Sequence, residues 1–360
     1  MGGSQRRVTL KQIADRAGCS VTAVSKALNG ARGSASVGPE TQSRVLRIAA
    51  ELGYTPNYLA RALQRGRTDT LGLVCQFGEA GLHHNDFWAP LIQGIQGRAR
   101  QAQQDVLIIG ADRGHDEVQR GLEQLRQRRF DALIVPALMY GFHLPDLEAA
   151  DGPIVYAATT RSGAHPAVGT DEAPGIVAAC RHLADLGHRR LLWLPTTVGG
   201  ALLDPARDAA VRAAAASQGL ALSVRAVDED QIADRHGTAG YIAGCRAQLA
   251  DLAADAGDVT AVMAYSERVA LALCAEVNAA GRRVPDDLSV IGFDDLHAHI
   301  AQPPLTVVSQ RLRAVGERAA ELALELAHGS RPAADYAGRV ELLPSKLVVR
   351  VSTGPPPARG

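Results

Sequence analysis

Three groups of side chains in this 360-residue sequence have the type and spacing to do chemistry. Near the amino terminus Thr22, Ser25, Lys26 and Asn29 recur at helical intervals, turned away from Val24, Ala27 and Leu28. A threonine hydroxyl donates or accepts, and a lysine ammonium reaches guanine O6 and N7, so such a face suits the reading of nucleic acid. Far along the chain, Asp294 follows the apolar run LSVIGF (288–293). There, beyond the carboxyl end of a strand, a carboxylate can accept protons from ligand hydroxyls. Between them lies the aromatic pair Phe87-Trp88, suited to stacking on a sugar face or a base, and equally to burying the start of a helix.

None of this is arranged for turnover. No G-x-G-x-x-G follows the first apolar run, and neither a P-loop nor a G-x-S-x-G is present. The scattered Ser, His and Asp residues have no spacing that specifies a triad. His83-His84 lacks a third ligand in register, so it reads as a solvated loop pair and no metal is expected. The five cysteines are dispersed and form no C-x-x-C, which suits small buried hydrophobes better than a disulfide frame. The sequence is therefore expected to be no enzyme and to need no cofactor.

Charge is divided unevenly. Residues 1–67 hold eleven Lys/Arg against three acids, and the remaining 293 residues carry an opposite excess of eight acids. A basic head on an acidic body is the electrostatic footprint of a nucleic-acid-binding module. No run of 18 apolar residues is present, so no membrane span is expected. The first twelve residues lack an apolar h-region, so a cytoplasmic location is expected.

The elements that must position these groups can be read from periodicity. Thr9 and Gln12 have capping-box spacing before Leu10, Ile13, Ala14 and Ala17, one apolar face ended by Gly18. Ser20 can cap a second helix three residues later, which describes a helix-turn-helix. A third helix opens at Pro39, buries Val45, Leu46, Ile48, Ala49 and Leu52, and stops at Gly53. A short fourth helix lies between Asn57 and Gly66, with Leu59 and Leu63 one turn apart and an Arg-rich polar face. From residue 70, apolar runs alternate with helical stretches: 71–75, 106–110, 132–136, 153–157, 190–195, 260–265 and 288–293. Runs of that kind indicate parallel sheets covered on both faces, and their extent calls for two lobes.

The segments VTLKQIADRAGCSVTAVSKALNG (8–30) and RVLRIAAELGYTPNYLARAL (44–63) resemble the lactose-repressor (LacI/GalR) family. Agreement continues through LGHRR (186–190), VPDDLSV (284–290) and PPLT (303–306) with Gln310. The resemblance implies an all-α helix-turn-helix head plus an α/β body of two doubly wound parallel-sheet lobes, periplasmic-binding-protein-like. It divides the chain into a head (1–53), a hinge helix and linker (54–69) and an effector-binding and dimerisation body (70–350). Lobe 1 is expected at 70–166 and 295–330, lobe 2 at 167–294 and 331–350, with crossings near 165–168, 293–296 and 328–333. The Pro-rich residues 351–360 are expected to form a disordered tail without a tetramerisation helix, so a homodimer is the simplest assembly.

The same resemblance assigns Val21, Thr22 and Lys26 to the reading of bases; helical period alone would bury Val21 beside Val24. Lys26 stands where most relatives carry Arg, and Ala23 where they carry Thr, so contrast between bases is softened. Thr9, Ser20, Ser25, Asn29 and Arg44 are candidates for phosphate contact, and equally for caps or solvated surface. Asn57 and Arg61 would join them at the hinge, while Leu63 would wedge into the minor groove of a pseudo-palindromic operator. Phe87, Trp88, Arg207, Ser266 and Asp294 map to the effector site. Ala158 and Ser266-Glu267 replace the usual Asp and Asn-Asp there. The partners implied are duplex DNA, a small molecule such as a sugar or related metabolite, and a second copy of the chain. Repression is the expected outcome, with activation or a solute-binding protein without a DNA role as alternatives; whether effector releases or promotes operator binding is not encoded legibly.

Overall fold

The structure is a computed structural model, which describes residues 8–29, 37–76, 88–111, 115–136, 147, 149–161, 163–232, 238–254, 256–329 and 333–357. Two compact units follow one another along the chain, Met1–Thr68 and Asp69–Gly360.

In the first unit Thr9 begins α1 (Leu10–Ala17) through the capping box that its spacing predicts. Gln12 N donates to Thr9 Oγ1 and Thr9 N to Gln12 Oε1, at 3.3 and 2.8 Å. Gly18 then takes a left-handed φ of 64° and turns the chain into α2 (Val21–Asn29). α3 (Pro39–Glu51) starts at Pro39 behind Gly38, which supplies no capping side chain. α4 (Tyr58–Arg65) ends at Gly66. Ile13, Ala14, Ala17, Val24, Ala27, Val45, Ile48 and Ala49 form the core of this unit. Leu46 is not among them: it is 47% exposed, contrary to the sequence reading. Val45, Ile48, Ala49 and Leu52 already complete the i, i+3, i+4, i+7 stripe, and Leu46 lies a further 100° round the helix. α4 touches α2 through Gln64 Nε2, which donates to Ser25 Oγ at 3.2 Å.

The second unit holds two six-stranded sheets. In chain order its elements are β1 (Thr70–Gln76), α5 (Trp88–Gln101), β2 (Asp105–Ala111), α6 (His115–Arg126), β3 (Ala132–Pro136), β4 (Ile154–Ala157) and β5 (Ala167–Asp171). Then come α7 (Ala173–Asp185), β6 (Arg190–Leu194), β7 (Thr196–Val198), β8 (Ala201–Leu202), α8 (Pro205–Ser217), β9 (Ala221–Val224) and β10 (Val227–Asp228). The remainder is α9 (Thr238–Ala254), β11 (Ala261–Ala264), α10 (Glu267–Ala279), β12 (Ser289–Phe293), β13 (Thr306–Ser309), α11 (Leu312–Ala327), β14 (Val340–Pro344) and β15 (Lys346–Val348).

Lobe 1 has strand order β14-β5-β4-β3-β1-β2, all parallel. Lobe 2 has order β15-β13-β12-β11-β6-β9, parallel except where β15 runs against β13. Each sheet is buried on both faces, as the uninterrupted apolar runs require. Leu71 and Leu73 face one core of lobe 1 while Val74 faces the other. Leu192 and Leu194 likewise oppose Leu191 and Trp193 in lobe 2. A small sheet, β10-β7-β8, follows the carboxyl end of β6. Helices α5 and α11 cross in lobe 1 at Gly94 and Gly316, where an added methyl would fall on the backbone carbonyls of Arg313 and Leu91.

Strand membership corrects the crossings. β5 belongs to lobe 1 and α7 to lobe 2, so the first crossing lies at 171–173 instead of 165–168. β13 is a lobe-2 strand and α11 packs on lobe 1, which moves the second from 293–296 to 309–312. The third joins β14 to β15 at 344–346, beyond the expected 328–333. The three segments are tied together: Thr170 Oγ1 donates to Gln310 O at 2.7 Å, and Ser345 Oγ to Glu172 O at 2.9 Å.

The expected disordered tail is also corrected over 351–357. Ser352 is fully buried; its Oγ donates to Val290 O at 2.6 Å and accepts from Thr306 N at 2.8 Å. Gly354 O receives Ser289 Oγ at 3.1 Å. Backbone and short polar groups make these bonds, so no apolar period announces them. Cys75, Cys180, Cys245 and Cys274 are buried, and burial pushes each thiol up to about 12. No helix among the described residues is long and apolar enough to cross a membrane.

Candidate nucleic-acid interface and ligand cleft

On α2, Val24 and Ala27 are buried, while Thr22 and Lys26 are exposed and Ser25 is half-buried. Val21 is 45% exposed, even though it is apolar and one turn from Val24. Val21, Thr22 and Lys26 thus share the outward surface of one helix, with no acid in its first turn. Ser20 caps that helix by accepting Ala23 N at 3.1 Å, and Thr9 caps α1. Ser25 Oγ, on the same face as Val21 and Thr22, accepts from Gln64, so α4 meets α2 at that face. Arg44 is exposed on α3, and the Asn29 side chain lies outside the described residues. On α4, the Asn57 carbonyl accepts Arg61 N at 3.1 Å, and Arg61 is half-buried. Leu63 is 86% exposed. A leucine left in water forgoes roughly 1.5–3 kcal/mol of burial, so Leu63 adds nothing to the core of the unit.

The second site gathers at the carboxyl end of the lobe-2 sheet, beside the crossings. Asp204 caps α8 by accepting Arg207 N at 3.0 Å, which brings Arg207 to the first turn facing Tyr265, after β11, and Phe293, at the end of β12. The guanidinium lies 4.5 Å from both ring centroids. Its Nε and Nη2 fork onto Glu172 Oε2 and Oε1 at 2.7 and 2.5 Å, and Nη1 donates to Tyr265 O at 2.7 Å. Arg207 is 7% exposed and Glu172 17%. Burial alone would loosen the guanidinium's proton, but Glu172 outweighs it and Arg207 stays charged.

Asp294 takes a left-handed φ of 83°, and Asp295 one of 72°. Asn and Asp tolerate that region better than other side chains with a Cβ. Gln310 Nε2 donates to Asp294 Oδ1 at 2.9 Å, and Glu267 N approaches Oδ2 at 3.4 Å. Burial pushes the Asp294 carboxyl up to about 6, with Arg207 pulling the other way. Glu267 fixes the same loop by accepting Leu296 N and His297 N at 2.8 and 2.6 Å. Its own carboxyl is raised by burial, against the pull of those amides.

The structure therefore brings Arg207 and Asp294 together. Ser266 is buried beside them, but its Oγ accepts Val269 N at 3.4 Å as the cap of α10. Trp88 is buried at the start of α5, whereas Phe87 and the His83-His84 pair lie outside the described residues. Sequence reasoning missed Glu172, Asp204 and Tyr265. Glu172 was hidden because β5 is too short and polar to announce the crossing it begins. The D-P-A-R spacing did signal a cap at Asp204, for Pro at a first helical position commonly follows one.

The family model for bacterial regulatory proteins of the lacI family matches residues 9–57, and a periplasmic binding protein-like domain matches 180–353. The HTH-type transcriptional regulator CelR of Thermobifida fusca is 31% identical over 328 residues, spanning 89% of this chain and 92% of its own.

The chain belongs to the LacI family.

A second LacI-family relative, the HTH-type transcriptional regulator GalS of Salmonella typhimurium, is 30% identical and covers 90% of this chain and 91% of its own. Among solved structures, a CelR–cellobiose complex is similar at a TM-score of 0.64 and 27% identity, covering 96% of this chain and all of that one. A Lac repressor dimer bound to operator and an anti-inducer shares the fold at a TM-score of 0.77 and 23% identity, covering 97% of this chain and all of that one. As a LacI-family member the chain is a transcriptional regulator whose helical head is joined to a two-lobed α/β body.

Proposed function

We propose that this regulator acts as a homodimeric repressor in the cytoplasm, binding a pseudo-palindromic operator until a sugar or related metabolite enters the cleft of its body. It works by binding alone, without turnover. The observation that carries the reading is the outward surface of α2, where Val21, Thr22 and Lys26 stand in solvent while Val24 and Ala27 fill the core. Val21 suits a thymine methyl, Thr22 either hydrogen-bonding sense, and Lys26 guanine. Arg61 and the exposed Leu63 fit a backbone contact and a minor-groove wedge on the same duplex. Thr9, Ser20, Ser25, Asn29, Arg44 and Asn57 would add phosphate contacts.

In the body, Asp294 would accept ligand hydroxyls beside Arg207, and Phe87 and Trp88 would stack on the ligand. CelR was solved with cellobiose, which supports a carbohydrate for this chain. Ligand binding would shift the population between lobe arrangements. A thousandfold change in operator affinity requires about 4 kcal/mol of differential binding. The test is fluorescence anisotropy with duplexes selected from genomic DNA. Binding should fall steeply with salt and weaken when the matching sugar is added. A protein that bound its sugar yet ignored every duplex would be a solute-binding protein, and the proposal would fail.

A further inference from the structure

Arg207 has the ordinary means of seizing an anion, a rigid guanidinium fork. In this chain the fork is already spent. Nε and Nη2 close onto the two Glu172 oxygens, Nη1 is held by Tyr265 O, and the flat faces are covered by Tyr265 and Phe293. Asp204 adds a second carboxylate, with Oδ2 3.9 Å from Nε. Asp294 is the next acid; the Glu267 backbone amide donates to it, while the Glu267 carboxylate is occupied by the amides of Leu296 and His297. The nearby cation Arg268 stacks 3.9 Å over the Tyr241 ring, and Tyr241 in turn donates to the buried Glu229. Among the described residues around Arg207, the carboxylates of Glu172, Asp204 and Asp294 outnumber its single guanidinium. An incoming phosphate or carboxylate would have to break the Glu172 pair and then face the surplus acid. A neutral hydroxyl would instead find the Asp294 carboxylate as an acceptor without displacing the Glu172 pair.

We propose that the cleft selects an uncharged, hydroxyl-bearing ligand and rejects its anionic counterpart, and that Glu172 is the residue that enforces the choice. This deepens the effector reading and rests on it for the location of the site. Glu172 sits on the first crossing between the lobes, where its carbonyl accepts Ser345 Oγ, so the filter is built into a hinge segment instead of a loop. Asp294 then works as the acceptor, its geometry set by Gln310 and the Glu267 amide.

The experiment uses the full-length protein and two sets of probes. Inorganic phosphate is titrated by calorimetry into wild type, E172Q, R207Q and the double variant E172Q/R207Q. Wild type should show no saturable phosphate binding in the millimolar range. E172Q frees the fork and should gain at least a roughly tenfold increase in phosphate affinity, which the double variant loses again. Saturable phosphate binding by wild type that R207Q abolishes would overturn the proposal, as would a folded E172Q that gains nothing. Folding is judged by far-UV circular dichroism. Should E172Q fail to fold, the decision passes to a wild-type thermal-shift panel of glucose and cellobiose against glucose 6-phosphate and gluconate. A neutral sugar should bind roughly a hundredfold more tightly than its anionic partner. Equal or preferred binding of the anion overturns the proposal. If no sugar of either charge binds, the sugar reading falls, and Glu172 is judged by the same phosphate titration with E172A in place of E172Q: a roughly tenfold gain supports the proposal and no gain in a folded E172A overturns it.

Discussion

Replacing Asp294 with Asn should make the body more stable at neutral pH, and by an amount that depends on pH in a defined direction. The Asp294 carboxyl is raised to about 6 by burial, despite the pull of Arg207. In the unfolded chain an aspartate titrates near ~3.9. The folded form therefore holds this proton more tightly than the unfolded form. The stability contributed by the carboxyl is fully present below the unfolded value and is lost as pH rises through the folded one. Two pKa units at about 1.4 kcal/mol each set a ceiling near 3 kcal/mol. Partial solvent contact lowers that figure, and so does the cost of turning an Asn amide toward the Glu267 N–H while its carbonyl keeps Gln310. Roughly 1–2 kcal/mol remains in favour of Asn at neutral pH. Asn also tolerates the left-handed φ of 83°, so the backbone should not contribute.

Both tryptophans, Trp88 and Trp193, lie in the body, so intrinsic fluorescence in urea reports on the relevant unit. The stability difference between D294N and wild type should grow from about pH 4 to about pH 7. A difference that stayed flat, or shrank, would refute the placement of Asp294 as a desolvated acceptor. Sugar affinity of the same variant should fall roughly tenfold, because a charge-assisted acceptor becomes a neutral one.

Leu63→Ala should weaken operator binding and DNA bending, read by anisotropy and gel phasing, while leaving sugar affinity unchanged; unaltered DNA affinity would remove the wedge. Gly316→Ala places a methyl on the Leu91 carbonyl where α5 and α11 touch, and should cost about 1–3 kcal/mol in urea denaturation of the body. Truncation after Arg350 removes Ser352, which bonds β12 and β13 at once, and should lower body stability by roughly 2–3 kcal/mol. A truncated chain with an unchanged urea midpoint would show that the docked tail contributes nothing.

The doubly covered strands were the most legible part of the fold, because β1, β3, β6 and β12 bury both faces and read as unbroken apolar runs. β5, β13 and β14 were not legible. They are short and break their apolar residues with Gly, Thr, Ser, Asp or Glu, although β5 and β13 are interior strands and almost wholly buried. Missing them displaced every crossing, and with the first crossing went Glu172. Leu46 shows the opposite error: an apolar residue counted into the core by type when its angle on α3 put it in water. Val21 was legible only through the family resemblance, since periodicity would have buried it. Arg207 and Asp294 could be aligned from sequence, but the ion pair that occupies the guanidinium depends on two segments 35 residues apart meeting in space.

The most direct measurement is selection of genomic fragments by the purified full-length protein, followed by anisotropy of the best duplex against a scrambled one across a salt series. The protein should prefer a pseudo-palindromic site by roughly a thousandfold or more, bind it with steep salt dependence, release it on adding an uncharged sugar, and lose all binding when residues 1–68 are removed. Equal affinity for selected and scrambled DNA, with and without sugars, would contradict the proposed function.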